Sequence, residues 1–174
     1  QFAINFDVDW ANDEVMEDTL RLVDDYNIKA TFFATHHTPT LKNQTDIIEI
    51  AIHPNFNPIL NGEQYSYKKP IDDLMNLYPE AVGVRSHSFV SSLLISEYYK
   101  SQGVIYESNI YYPQQYEPSF DYMGFLVHVV PLCWSDIGHL LGMFPFKMDK
   151  LPITTEYVTL SPFIRYTSIL ILKT

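Results

Sequence analysis

Short apolar runs alternate with amphipathic stretches from Phe2 to Trp134, and most of the runs end on acids, histidines or an arginine. "FAINFDV" reads as a buried strand. "NDEVMEDTLRLVDDYN" then reads as a helix, capped by Asn12 or Asp13, with acids in its first turn and Met16, Leu20 and Val23 on one face. "IKATFFATHH" and "DIIEIAIHP" are strands, each stopped near a proline. "PIDDLMNLY" starts a helix at a proline, "AVGVRSHSF" is a fourth strand, and "SSLLISEYYKSQG" is a helix that Gly103 ends. "VIYESNI" and "FLVHVVPLCW" are further strands, "SDIGHLLGMF" a helical turn and "TSILILKT" a terminal strand. Strand then helix, repeated, predicts an α/β fold with a parallel sheet. No repeat or linker divides the chain, so residues 1–174 are expected to form one domain.

The bulk chemistry narrows the function. A net charge of −10 and a pI of about 4.8 leave no basic stripe for a phosphate backbone, so no nucleic-acid partner is expected. Cys133 is the single cysteine, which excludes an internal disulfide and a cysteine-based zinc site. No apolar run reaches membrane-spanning length and no signal peptide is legible, so a cytoplasmic, reducing setting is the expectation.

In parallel α/β folds, sites gather at the carboxyl ends of the strands. Four polar clusters fall there: Asp7/Asp9, His53/Asn57, Arg85/His87 and Trp134/Asp136. Asp7 and Asp9 would share a face if the strand ran on, and two like charges there repel unless a cation or proton lies between them. A bend at the strand end would let one ligate a metal and leave the other free as a base; Asp9 also suits a turn or cap. His53 is a ring-nitrogen donor, and Asn57, four residues on, faces the same way if the backbone turns helically. Each also has a plain reading, as a hydrogen-bonded strand-end histidine and a turn residue.

Arg85 suits a bidentate hold on a carboxylate, or else a surface salt bridge. His87 fits a ligand, an acid–base group or a loop residue. Trp134 beside Asp136 offers an apolar wall next to a carboxylate, or core packing with a cap. Together the clusters suit metal-assisted hydrolysis: Asp9 and His53 on a divalent ion, Asp7 as general base, Arg85 and Asp136 holding charge and geometry, and Trp134 walling an acyl pocket.

"FDVDW", "ATFFAT", "EIAIHPNFNP", "VGVRSHSF" and "CWSD" occur in the order found in polysaccharide deacetylases, carbohydrate esterase family 4. The chain resembles especially the His-Pro-Asn-Phe branch linked to surface-polysaccharide biosynthesis. The resemblance runs from residue 2 to about 140 and implies an irregular, incomplete (β/α) barrel. It also implies metal-dependent removal of an acetyl group from an acetylated carbohydrate, with zinc, or a harder ion such as manganese, cobalt or nickel, as cofactor. By position, Asp7 resembles the general base, Asp9 the metal-binding aspartate and His53 the first metal histidine. Arg85 resembles the arginine that tethers the base, Asp136 its acidic partner, and Trp134 a wall of the acetyl pocket.

The family's second metal histidine falls at Asn57, which makes the third ligand Asn57, His87 or water. The late histidine that protonates the leaving group has no counterpart in Leu140–Thr174, where "TSILILKT" offers only Lys173. Loss of a general acid costs about a hundred- to ten-thousandfold and leaves a slow enzyme; His87, His128 and His139 are the histidines available to substitute. Two further readings follow: an amide or ureide hydrolase on the same scaffold, and a catalytically impaired domain that binds sugar without turnover.

Overall fold

Asn5, Thr31 and Glu49 lie side by side on three neighbouring parallel strands, and Asp7, Phe33 and Ala51 form the next row on the same face. The computed structural model describes residues 4–42, 46–63 and 65–110, with the backbone at 120–121 and 128–129. The strands are β1 (Ile4–Asp7), β2 (Ala30–Ala34), β3 (Ile48–Ile52), β4 (Gly83–Val84), β5 (Tyr106–Glu107), β6 (Phe120–Asp121) and β7 (His128–Val129). They lie in the order β1-β2-β3-β4-β5-β7-β6, parallel except for the β6–β7 pair. The helices are α1 (Asp13–Asp25), α2 (Pro39–Lys42), α3 (Asn57–Leu60), α4 (Lys69–Leu77) and α5 (Leu93–Ser101). Among the described residues β1 and β6 are the unpaired edges, so the sheet does not close.

Alternation along each strand sorts the sequence between two faces. Phe6, Ala30, Phe32, Ala34, Ile52 and Val84 join Met16, Val23, Ile71, Leu74, Ile95 and Tyr99 in one buried apolar cluster beneath the helices. Phe6 and Phe32 stack within it at 4.7 Å. Asn5, Asp7, Thr31 and Glu49 take the other face, where Thr31 Oγ1 donates to Glu49 Oε2 at 2.6 Å. A Cβ on Gly83 would land on the Tyr106 ring, so glycine is what lets that ring lie against β4.

That second face is concave. In a flat sheet β1 and β4 stand about 14 Å apart, three strand spacings, and side chains project perpendicular to the sheet. Yet the Arg85 guanidinium, one residue past β4, lies 4.2 Å over the Phe33 ring on β2 and bonds Asn5 and Asp7 on β1. Only a curled sheet brings those groups together. The predicted incomplete (β/α) barrel is the fold observed.

The helices follow their local signals. Asn12 caps α1, accepting from the Val15 N–H at 3.0 Å, and Asp13 instead accepts from Thr38 Oγ1 at 2.6 Å. Ser92 caps α5 and Gly103, at φ +88°, follows its end. Two expectations needed shortening: "AVGVRSHSF" yields only Gly83–Val84 as strand before a 3-10 turn at His87–Phe89, and "VIYESNI" only Tyr106–Glu107. The alternation past Val84 is not strand: polar residues aimed at a site mimic the pattern of a half-buried strand. Beyond the His128–Val129 backbone, the "FLVHVVPLCW" strand and the two elements after it lie outside the described residues.

Glu107 is buried on the α5 side, accepting from Ser96 Oγ at 3.2 Å and from Asn109 Nδ2 at 3.2 Å. Burial pushes its carboxyl above the usual glutamate range, and the Ser96 and Asn109 hydrogen bonds only partly oppose this. A raised folded-state value favours the protonated form, so the stabilisation is full at low pH and is lost as pH rises through the folded value. Glu107→Gln is therefore expected to raise the denaturation midpoint at neutral pH, with the gain vanishing below the ordinary glutamate value of about 4.3. Chemical denaturation at several pH values reads this directly.

Candidate active site

Five of the predicted residues lie at or just past the carboxyl ends of their strands and meet in two groups, Asp9 with His53 and His87, and Asp7 with Arg85. β1 stops at Asp7, and the chain then turns sharply: Asp9 and Trp10 both have left-handed backbones, at φ 43° and 60°. The bend separates the two carboxylates that a continued strand would have set side by side. Asp7 goes to Arg85, and Asp9 goes to two histidines.

His53, immediately after β3, is 2% exposed, and its Nε2 lies 3.4 Å from Asp9 Oδ1. His87, three residues past β4, places Nδ1 3.1 Å from the same oxygen. The two imidazoles meet edge to face with centroids 5.5 Å apart. One ligand atom from each of Asp9, His53 and His87 lies within 4.8 Å of the other two. A second left-handed pair, Ser88 and Phe89 at φ 57° and 55°, follows His87 directly. Left-handed conformations cost a non-glycine residue roughly 1–2 kcal/mol each, so the surrounding structure holds both sharp turns against that cost.

The donor set fits a divalent ion. Ligands about 2.0–2.1 Å from a tetrahedral zinc stand roughly 3.4 Å from one another, close to the spacings of Asp9 from both histidines. One carboxylate oxygen and two imidazole nitrogens form a set that leaves room for water or substrate. Burial by itself would raise the Asp9 carboxyl, but hydrogen bonding and proximity to His53, then to His87, outweigh it and hold the group below the usual aspartate range. Asp9 thus stays an anion, the form a metal needs. His53 Nδ1 is buried with no partner among the described residues; a ring that ligates through Nε2 keeps its proton there.

Arg85 is the other organising residue. It is 2% exposed, and its Nη1 donates to Asp7 Oδ1 at 2.8 Å and to Asn5 Oδ1 at 2.7 Å. Its Nε donates to the Ser108 carbonyl at 3.2 Å, and its Nη2 to Ser108 Oγ at 2.8 Å. A guanidinium has five N–H groups, so one on Nη2 is left over among the described residues. The Ser86 N–H, between Arg85 and His87, donates to Asn109 Oδ1 at 2.7 Å, which fixes the segment carrying both.

Asn57 enters differently. Residues 53–56 have no regular structure and α3 begins at Asn57, so the helical spacing that would align Asn57 with His53 is absent. The Asn57 N–H donates to Asn55 Oδ1 at 2.9 Å. Trp134 and Asp136 lie outside the described residues. Sequence reading passed over Asn5 and Ser108, the further partners of Arg85. Asn5 was findable, since it is polar in an apolar strand and shares the face of Asp7 at a spacing of two.

The chain matches the model of the WbmS-like polysaccharide deacetylases over residues 4–163. It belongs to the polysaccharide deacetylase family. Among solved structures it is similar to one from Bordetella bronchiseptica, assigned as a polysaccharide deacetylase involved in O-antigen biosynthesis. The two are 33% identical with a TM-score of 0.74, over 80% of this chain and 61% of that one. A structure assigned as a polysaccharide deacetylase from Mycobacterium smegmatis is 19% identical with a TM-score of 0.52, over 76% of this chain and 58% of that one, and shares the fold. This family member therefore spans about three-fifths of the length of each. No curated protein matches the chain.

Proposed function

We propose that the chain is a metal-dependent deacetylase that removes an acetyl group from an acetylated sugar. The observation that carries this reading is the partition of the two acids, with Asp9 facing His53 and His87 while Asp7 is held apart by Arg85. A module that only bound sugar would have no use for a separately tethered carboxylate. The O-antigen assignment of the Bordetella structure favours a surface-polysaccharide precursor as substrate.

Asp9, His53 and His87 would hold the ion, with His87 in the place considered for Asn57; zinc suits the donors, and manganese, cobalt or nickel are alternatives. The ion, when bound, supplies Lewis-acid polarisation of the acetyl carbonyl and acidifies a water. Asp7 would take the proton of the attacking water as the water oxygen bonds to the acetyl carbon. As the carbon–nitrogen or ester carbon–oxygen bond breaks, Asp7 returns the proton to the leaving atom, and acetate departs. This gives Asp7 the acid role that the late histidine fills elsewhere in the family. Arg85 orients Asp7 throughout, and Asp136 would accept the Nη2 proton left over among the described residues. Trp134 would wall the acetyl pocket. Acetate release from N-acetylated amino sugars, lost on chelation and restored by a divalent ion, tests the proposal.

A further inference from the structure

Trp10 is 50% exposed, yet it directly follows Asp9 and its indole meets the His87 imidazole edge to face at a centroid distance of 5.2 Å. A large aromatic side chain at φ 60° is a backbone outlier, where glycine would sit without cost. The strained turn is pinned, because the Trp10 N–H donates to Thr35 Oγ1 at 3.0 Å and that hydroxyl also meets His36 Nδ1 at 2.9 Å. Among the described residues core packing does not account for the indole, since Trp10 belongs to neither the buried cluster nor its partly buried rim. A strained backbone therefore holds an apolar ring half in water beside a candidate metal ligand.

We infer that Trp10 is the sugar platform of this site, stacking its indole on the apolar C–H face of the pyranose whose acetyl group reaches the Asp9–His53–His87 centre. The inference rests on the deacetylase reading for its choice of ligand. An indole suits a pyranose because its electron-rich face meets the weakly positive C–H bonds of the ring, while its N–H can donate to a hydroxyl. Contact with His87 fixes the indole against the same group that would position the acetyl. The turn that delivers Asp9 to the centre thus also delivers the platform, which ties acetyl placement to sugar placement.

Calorimetric titration of N-acetylglucosamine, N-acetylgalactosamine and their short oligomers into the metal-loaded Asp7→Asn protein measures binding without turnover. Trp10→Gly is expected to weaken binding roughly tenfold, the equivalent of about 60 Å² of lost apolar contact. Trp10→Phe keeps most of the affinity. The thermal midpoint of Trp10→Gly stays level or rises, because glycine relieves the left-handed backbone. A lowered midpoint with unchanged affinity, or no sugar binding with Trp10 present, overturns the inference. Acetate release by the Asp7-bearing protein is read separately. If it is absent while Trp10-dependent binding persists, the deacetylase reading falls and the platform stands. If acetate is released with the same KM in Trp10→Gly, the platform falls and the deacetylase reading stands.

Discussion

Asp7→Asn is expected to slow acetate release by about a hundred- to ten-thousandfold, the usual worth of a positioned acid–base group, while the fold and the bound metal survive. The amide is nearly isosteric, and its oxygen still accepts from Arg85 Nη1, so the tether found at 2.8 Å can persist. What disappears is the ability to take a proton. Removing the tether has a different signature. Arg85→Met strips partners from Asp7, Asn5 and both Ser108 oxygens at once. Breaking a buried ion pair from one side costs roughly 3–5 kcal/mol, and the lower end applies because the Asp7 side chain is 22% exposed. Combining Arg85→Met with Asp7→Asn should recover part of that stability, because the uncompensated charge is gone, but no activity. Denaturation midpoints alongside acetate assays separate the two effects.

His87→Ala is expected to reduce bound divalent metal from one equivalent to none at micromolar protein, whereas Asn57→Ala should leave the equivalent in place. A three-donor site that loses one imidazole retains Asp9 and His53, a pair 3.4 Å apart that cannot enclose an ion alone. Asn57 offers only a neutral oxygen on a short helix, a weak donor beside two imidazoles. His53→Ala should match His87→Ala in metal loss. Elemental analysis after gel filtration gives the stoichiometry; metal retained by His87→Ala and lost by Asn57→Ala would reverse the ligand assignment.

The parallel α/β layout was legible because its apolar runs are bounded by caps, prolines and Gly103, all local signals. The partition of Asp7 from Asp9 was anticipated only as a conditional, since spacing alone sets them on one face. What decides it is the left-handed turn at Asp9 and Trp10; an aspartate tolerates such a backbone without requiring it, and a tryptophan does not announce one. His87 was left open for a related reason. A histidine two residues past a strand-end arginine can point anywhere until the Ser86–Asn109 contact and the turn at Ser88 aim it. The half-exposure of Trp10 was not legible either, because it is set by the turn and not by hydrophobicity. The curl that carries Arg85 across to β1 is a property of the whole sheet, and no window of sequence encodes it.

Acetate release from N-acetylated amino sugars by the protein as isolated, after chelation, and after readdition of one equivalent of zinc, manganese, cobalt or nickel tests the account most directly. The account predicts release that chelation abolishes and a divalent ion restores. Release that persists undiminished in the chelated protein would contradict it.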